Sequence, residues 1–294
     1  MSGPRWVRPS SWEKEGQDWP NREFSRFVDA GGLTWHVQVM GSGPAILLVH
    51  GTGAATHSWR DLAPLLARHF TVVAPDLPGH GFTSMPKDPE GLSLPGMAAG
   101  IAALLEVLAI RPAMAAGHSA GAAILIRMCL DDRITPKYLV SLNGALLPLG
   151  GVAGHIFSPL AKLLTWTGIV PQLFAWRASD PAVVERLLRD TGSRIDARGT
   201  ELYARLARRP KQVEAAFGMM ASWDLDPLER ELPGLQVPLV LVVGSNDGTI
   251  RPSEAVRVQR LLPSARIVRL PGLGHLAHEE RPAEVAELIV KLDG

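Results

Sequence analysis

The segment GHSAG at residues 117–121 places Ser119 between two glycines in the pattern G-x-S-x-G. It follows a short apolar run typical of a buried strand, residues 113–116 (AMAA), and opens a run with helical periodicity, residues 120–130. A serine on so sharp a strand-to-helix turn adopts a strained backbone, and small flanking residues let its hydroxyl stand clear of the sheet. In this context the pattern predicts a nucleophilic serine.

A serine hydroxyl is a weak nucleophile at neutral pH, so it needs a general base, and that base needs an orienting carboxylate. Asp247 follows the apolar run 239–243 (LVLVV), and His275 follows the run 267–270 (IVRL). We therefore predict Ser119 as nucleophile, His275 as base and Asp247 as orienting acid, in the order Ser-Asp-His. Asp224 is a rival acid, and we prefer Asp247 because it lies at the end of a predicted strand.

Acyl transfer also requires N–H donors that stabilise a tetrahedral oxyanion, commonly one after the nucleophile and one in an earlier loop. Ala120 directly follows the serine, and Thr52 lies in the glycine-containing loop HGTG that follows residues 45–49 (AILLV). We predict that the main-chain N–H groups of Thr52 and Ala120 form the oxyanion hole. The alternative for this loop is a plain glycine turn.

His57 and His118 adjoin the predicted pocket and are candidates for substrate contact, although the sequence favours structural roles for both. Trp166 and Trp223 are two further candidates for substrate contact. The nine histidines are scattered, and no metal site or cofactor is predicted. The chain has no G-x-x-x-x-G-K-[ST] segment, so it is not expected to act as an ATP-driven motor.

Short apolar runs of four or five residues alternate with helical periods, which predicts an α/β fold with a doubly wound, mostly parallel sheet. The strand candidates are residues 45–49, 71–74, 113–116, 138–142, 239–243 and 267–270, with 33–39 as an edge strand in an N-terminal hairpin. The helix candidates are residues 58–69, 97–110, 120–130, 253–262 and 284–292. The predicted strand ends carry all three triad candidates.

The alternation stops between about residues 145 and 226, where the sequence becomes mostly helical. We predict a helical cap at 145–226 inserted after the sixth strand, a core at 24–144 and 227–294, and an N-terminal extension at 1–23. Residues 155–176 hold one charge and are apolar nearly all round, which suggests a lid over a hydrophobic cavity. Residues 177–214 carry nine basic against six acidic residues, either as a solvated face or as a docking site for an acidic partner.

The chain has 294 residues, of which 46% are hydrophobic, and this is enough to bury a large core. Its formal net charge of +1 gives no overall field to attract nucleic acid. The single cysteine cannot form an internal disulfide, and the N-terminus has no apolar stretch like that of a secretory signal. Residues 138–161 are uncharged, but their Asn, Gly and Pro content argues against a membrane span. We expect a cytoplasmic protein, with peripheral membrane contact through the lid as an open alternative.

Taken together, these segments resemble the α/β-hydrolase superfamily over roughly residues 24–292. The resemblance rests on His50-Gly51, the loop DLPGHG at 76–81, the GHSAG motif, Asp247 and Gly274-His275. It implies the α/β-hydrolase fold and assigns the loop 76–81 to architecture rather than catalysis. A serine nucleophile, where some relatives carry aspartate, disfavours dehalogenase and epoxide-hydrolase chemistry.

A narrower similarity lies outside the catalytic set. Residues 12–20 (WEKEGQDWP), 50–60 (HGTGAATHSWR) and 219–225 (MMASWDL) resemble the BchO family, which is labelled a magnesium chelatase accessory protein of bacteriochlorophyll synthesis. The resemblance implies a role near magnesium insertion into protoporphyrin IX, with magnesium chelatase subunits as partners. It does not by itself supply a reaction.

Two functions from different classes remain open. In the first, the chain is a serine hydrolase that acts on an ester or related carbonyl of a large hydrophobic substrate, such as a porphyrin. In the second, it is a non-catalytic accessory of magnesium chelatase that binds or presents a tetrapyrrole. Replacement of Ser119 separates the two, because only the first needs the nucleophile.

Overall fold

A computed structural model describes residues 10–148, 169–177 and 180–293 of the chain. Within them, one eight-stranded sheet has the order β1-β2-β4-β3-β5-β6-β7-β8. The strands are β1 (Ser25–Ala30), β2 (Leu33–Met40), β3 (Ala45–Val49), β4 (Thr71–Pro75), β5 (Met114–His118), β6 (Tyr138–Leu142), β7 (Leu239–Gly244) and β8 (Arg266–Leu270). Strands β3 to β8 run parallel, while β2 pairs antiparallel with both β1 and β4.

The helices of the described ranges precede, connect and follow these strands. They are α1 (Ser10–Glu15), α2 (Leu62–Leu66), α3 (Leu94–Leu108), α4 (Ala120–Leu130), α5 (Ile169–Arg177), α6 (Pro181–Asp190), α7 (Ala197–Ala207), α8 (Pro210–Ala221), α9 (Asp226–Glu231), α10 (Pro252–Leu261), α11 (Ala277–Glu280) and α12 (Pro282–Asp293). Short 3₁₀ turns lie at Arg22–Phe24, Thr56–Trp59, Pro89–Leu92 and Leu232–Gly234. None of the helices among these residues has the length and apolar content needed to cross a membrane.

The central strands are buried on both faces because helices cover both sides of the sheet. Alternate side chains of a strand point to opposite faces. Accordingly, Leu47 and Val49 of β3 belong to one hydrophobic core, shared with α3 and α4. Ile46 and Leu48 belong to a second core, shared with α2 and α12. This arrangement confirms the predicted doubly wound, mostly parallel sheet.

Two sequence predictions about local structure are wrong. The predicted edge strand is an interior one, since β2 pairs on both sides and β1 forms the edge of the sheet; Trp35 of β2 is fully buried. The predicted helix at 58–69 is replaced by a 3₁₀ turn and the short helix α2. Pro64 explains why the helix starts late. Proline is tolerated in the first turn of a helix but not in its interior, and α2 begins two residues before Pro64.

Helices α5 to α8 lie between β6 and β7 in the chain, at the position predicted for the cap. We keep the domain boundaries at 1–23, 24–144 with 227–294, and 145–226 as a proposal. Trp166 and most of the apolar stretch 155–176 lie outside the described residues. Among the described residues of this region, helix α8 and the turn between α6 and α7 contact the segments of the site.

The N-terminal segment packs between the core and the cap. Trp12 and Trp19 are each 2% exposed, and they share a hydrophobic cluster with Phe82 of the core and with Leu202 and Leu206 of α7. The Trp19 indole N–H also donates a hydrogen bond to the Thr56 hydroxyl at 3.0 Å. These two tryptophans join α7 to the sheet side of the molecule.

Part of the basic half of the cap finds acidic partners within the chain itself. Arg198 and Arg205 of α7 both contact the Asp18 carboxylate, at 2.6 and 2.9 Å. Arg209 pairs with Glu15 of α1. The guanidinium groups of Arg205 and Arg198 hold the pKa of Asp18 well below its usual range. These ion pairs therefore reinforce the apolar contact between the N-terminal segment and α7.

Candidate active site

Ser119 occupies the turn between β5 and α4 with a left-handed backbone, φ 51° and ψ −119°. The two glycines of the motif make this turn sterically possible. A Cβ atom at Gly121 would lie 2.1 Å from the Val49 carbonyl oxygen, and one at Gly117 would lie 2.5 Å from the Ala122 nitrogen. The strained serine is partly exposed, while its neighbours in the motif are buried. Its side chain is thus held at the end of β5 by backbone packing on both sides.

Asp247 and His275 form a hydrogen-bonded pair, with Nδ1 of the imidazole 2.8 Å from Oδ2 of the carboxylate. Asp247 Oδ1 accepts two main-chain N–H bonds, from Thr249 and Ile250, each at 2.8 Å. A carboxylate has no proton to donate, so it accepts the hydrogen bond from the imidazole N–H. His275 therefore carries its proton on Nδ1, which leaves Nε2 free to act as a base.

The histidine lies beside the serine turn. His118, the residue before Ser119, places its Nε2 3.0 Å from the main-chain oxygen of His275, and the two rings are 4.7 Å apart. Burial lowers the pKa of His118 well below its usual value, so its ring is neutral at neutral pH. His118 thus serves as a neutral donor between the two segments, and its side chain is buried. Its contact with substrate stays a prediction.

Both predicted oxyanion donors adjoin the serine. Ala120 is the first residue of α4, and N–H groups of a first helical turn have no acceptor within the helix. The loop that contains Thr52 follows strand β3 and passes close to Ser119, since a Cβ atom at Gly51 would lie 3.0 Å from the Ser119 Cβ. The Thr52 hydroxyl lies 3.3 Å from the sulfur of Met219, which belongs to cap helix α8.

Asn143 is a site residue that the sequence analysis missed. It follows β6 with a left-handed φ of 49° and is 1% exposed. Its Nδ2 donates to Asp247 Oδ2 at 2.8 Å and contacts the Gly274 carbonyl oxygen at 3.3 Å. The available signal was its position directly after a predicted strand, the same signal that identified Asp247.

The predicted substrate-contact residues His57 and Trp223 and the rival acid Asp224 differ in how deeply they are buried. His57 is fully buried between the rings of Trp19 and Tyr203, and burial lowers its pKa to about 3. Trp223 is half-buried against the core under α3 and α4. Asp224 is exposed and accepts a hydrogen bond from the Asp226 N–H, so the carboxylate bonded to His275 is that of Asp247.

The loop 76–81 is held in place by hydrogen bonds of Asp76 to the surrounding segments. Asp76 is fully buried and accepts hydrogen bonds from the main-chain N–H groups of Thr56 and Phe82 and from the His36 ring, at 2.6, 2.9 and 2.7 Å. In the portion of the chain with described coordinates, no group of three or more His, Cys, Asp or Glu side chains could hold a metal ion.

A parallel sheet with a serine turn and a histidine–aspartate pair at its carboxyl end defines a class of protein. The chain belongs to the alpha/beta hydrolase family, whose model matches residues 46–288.

Among named relatives, the Magnesium-chelatase 30 kDa subunit of Rhodobacter capsulatus is 36% identical over 265 residues, covering 89% of this chain and 92% of the relative. The pyrrolizixenacetamide deacetylase of Xenorhabdus hominickii is 29% identical over 85% of this chain and 90% of its own length. Both resemblances stated from the sequence are confirmed at the level of similarity.

Solved structures support the fold. The crystal structure of an alpha/beta hydrolase fold protein from Burkholderia ambifaria superposes with a TM-score of 0.77 at 23% identity, covering 91% of this chain and 97% of that one.

Proposed function

We propose that this protein is a serine hydrolase that acts on an ester or related carbonyl of a large hydrophobic substrate. The observation that carries the proposal is the 2.8 Å hydrogen bond between Asp247 and His275, in a segment bonded through His118 to the strained turn of Ser119. These are the three groups that acyl transfer through a serine requires. Membership of the alpha/beta hydrolase family agrees with this reaction class.

In the proposed reaction, the Ser119 hydroxyl attacks the substrate carbonyl carbon while His275 Nε2 takes the hydroxyl proton. The carbonyl oxygen becomes an oxyanion, which the N–H groups of Thr52 and Ala120 stabilise. Asp247 stabilises the imidazolium, which then donates its proton to the leaving group as the acyl-enzyme forms. Water, activated by His275, releases the acyl group and restores Ser119.

Apolar side chains of the cap that pack near the Thr52 loop support the hydrophobic-substrate part of the proposal. Met219 of α8 contacts the Thr52 side chain, and the half-buried Trp223 follows the same helix. Pockets lined by apolar side chains with a few polar groups are typical of sites for small organic molecules. We therefore expect turnover to favour long acyl chains or aromatic acyl groups over acetyl groups.

The direct test is hydrolysis of a series of aryl esters with acyl chains of increasing length. Ser119→Ala should lower kcat/KM by about 10⁴-fold or more, because the nucleophile is lost. Ser84→Ala removes an exposed serine hydroxyl elsewhere and should leave the rate within about twofold. Equal turnover by wild type and Ser119→Ala would contradict the proposal.

The relative named as a magnesium-chelatase subunit supports a place in bacteriochlorophyll synthesis. We place the proposed activity near magnesium insertion into protoporphyrin IX, with magnesium chelatase subunits as partners. The same relative favours a second candidate, in which the chain is a non-catalytic, tetrapyrrole-binding accessory of the chelatase.

Complementation separates the two candidates. In a host whose pigment synthesis depends on this chain, Ser119→Ala should fail to restore pigment if catalysis is needed. Full rescue by Ser119→Ala, at a protein level matched to wild type, would support the accessory function instead. A binding measurement with protoporphyrin IX on both proteins then shows whether the tetrapyrrole is retained without turnover.

A further inference from the structure

The turn between cap helices α6 and α7, residues 191–194, contacts both segments that carry the proposed acid and base. The Thr191 carbonyl oxygen accepts hydrogen bonds from the N–H groups of Gly248 and His275, at 3.0 and 3.2 Å. Gly248 is the residue after Asp247. One carbonyl oxygen of the cap therefore joins the acid loop to the histidine itself.

A side chain of the same turn holds the residue after the histidine. Ser193 is 2% exposed, and its hydroxyl oxygen accepts a hydrogen bond from the Leu276 N–H at 2.8 Å. The next residue, Arg194, donates its N–H to Glu280 Oε2 at 3.1 Å, and Glu280 Oε1 accepts the Gly274 N–H at 2.8 Å. The residues on both sides of His275 are thus tied to the turn, one directly and one through Glu280.

Glycines allow these backbones to approach so closely. Gly192 has a φ of +80°, and a Cβ atom there would lie 1.9 Å from the Asn246 carbonyl oxygen. A Cβ atom at Gly274 would lie 2.3 Å from the Gly192 carbonyl carbon. Any side chain at these two positions would push the turn away from the acid and histidine loops.

We propose that the cap turn 191–194 is a positioning element for the Asp247–His275 pair, with Ser193 as its principal positioning side chain. The inference rests on the proposed function, because it assigns the turn a role in that reaction. Proton transfer tolerates misplacement of only about 0.5 Å, so a base anchored by the cap loses efficiency when the anchor is removed. The cap is accordingly part of the catalytic geometry on this side of the site.

Two variants and one control test the inference. Ser193→Ala removes the hydroxyl that binds the Leu276 N–H, and Gly192→Ala separates the two backbones. Thr200→Ala is the control, because it removes a hydroxyl that bonds only within the cap, to the Asp196 carbonyl oxygen. Each purified chain is assayed for ester hydrolysis, and the His275 ring is followed by NMR from pH 5 to 9.

Ser193→Ala should lower kcat about fivefold to twentyfold with little change in KM, and should shift or broaden the His275 Nδ1–H signal. Gly192→Ala should have a larger effect in the same direction, and Thr200→Ala should match wild type in both readouts. An unchanged kcat and an unchanged His275 signal in Ser193→Ala would overturn the inference. If wild type hydrolyses no ester, the proposed function fails, and the NMR signal alone still decides whether the turn positions the histidine.

Discussion

The Asp247 carboxylate is buried, and its two oxygens accept four hydrogen bonds. It accepts from two main-chain N–H groups, from the His275 ring and from the Asn143 amide. Burial of a charge is unfavourable unless hydrogen bonds replace the lost water, and four donors do so here. Asn143 has a special place among them, because it also contacts the Gly274 carbonyl oxygen next to the histidine.

Asn143→Ala should slow ester hydrolysis by about tenfold to a hundredfold. The expected loss follows from the roughly 1.5–3 kcal/mol that a hydrogen bond to a charged group contributes. Asn246→Ala is the matched control, because the Asn246 amide bonds the Gly272 carbonyl oxygen instead of Asp247. Steady-state kinetics on the three chains is the measurement, and equal rates for the two variants would contradict the role of Asn143.

At the residue scale, the sequence predicted the proposed triad because strand ends of a parallel sheet meet at one edge. Asp247 and His275, 28 residues apart, are in contact for this reason. It could not predict the role of Asn143, since an asparagine after a strand is also an ordinary turn residue. Nor could it predict that His57 and His118 are buried, because burial of a polar ring depends on the elements that pack over it.

Among the helices and strands, the contact between α4 and β3 fixes the position of the serine turn relative to the sheet. The helix starts against the end of the strand, where the Gly121 main chain faces the carbonyl oxygens of Val49 and His50. Backbone atoms cannot move aside as a flexible side chain can. A single methyl group added at Gly121 should therefore push helix α4 away from strand β3.

Gly121→Ala should lower the free energy of unfolding by more than about 2 kcal/mol, because the new Cβ overlaps two carbonyl oxygens. Gly218→Ala in α8 is the matched control, since its Cβ would meet only the end of the Leu92 side chain. Helix propensity favours alanine at both positions, so the control should change stability little or raise it. Urea denaturation of the two variants measures the difference, and equal midpoints would contradict the packing argument.

The N-terminal segment connects the core to helix α7 through the buried ring of Trp19. Trp19→Ala should lower the free energy of unfolding by about 3 kcal/mol, because a buried aromatic ring that contacts α7 and the core is removed. It should also speed proteolytic cleavage within the cap. Trp176→Ala is the control, because Trp176 is 69% exposed. Limited proteolysis with matched denaturation curves tests the pair, and identical cleavage rates would rule out a role for this segment in holding the cap.

Sequence patterns predicted most strands within one or two residues because their apolar runs are short and end at polar or glycine residues. They located β2 along the chain but wrongly placed it at the edge of the sheet, because an interior antiparallel strand and an edge strand can share one alternating pattern. They also could not predict that Trp12 and Trp19 pack against α7, since no local pattern encodes contacts between residues almost 200 positions apart.

At the scale of the molecule, five buried histidines have a lowered pKa: His50, His57, His80, His118 and His278. Burial is the main cause in each case, since it disfavours the charged ring. Such groups stabilise the fold above pH 6.5, and this contribution is lost as the pH falls, because the unfolded chain binds protons that the folded chain excludes. Glu279 acts in the opposite direction, since burial raises its pKa to about 7.

The free energy of unfolding should therefore decrease as the pH is lowered from 7 to 5, because five histidines outweigh one glutamate. His57→Phe should reduce this decrease by about 1.4 kcal/mol per pH unit below 6.5. It should preserve stability at pH 7, since neither ring nitrogen of His57 has a partner in the described structure. His69→Phe, at an exposed histidine, is the control. Urea denaturation at pH 5, 6 and 7 gives the slopes, and parallel curves for His57→Phe and wild type would contradict this explanation.

The most direct test of whether Ser119 is an activated nucleophile is covalent labelling with a fluorophosphonate probe, followed by peptide mass spectrometry. We expect one adduct, on Ser119, which is lost in His275→Ala and after denaturation, because only an activated serine reacts rapidly. Absence of an adduct on the folded wild-type chain, or equal labelling of Ser119 in His275→Ala, would contradict this expectation.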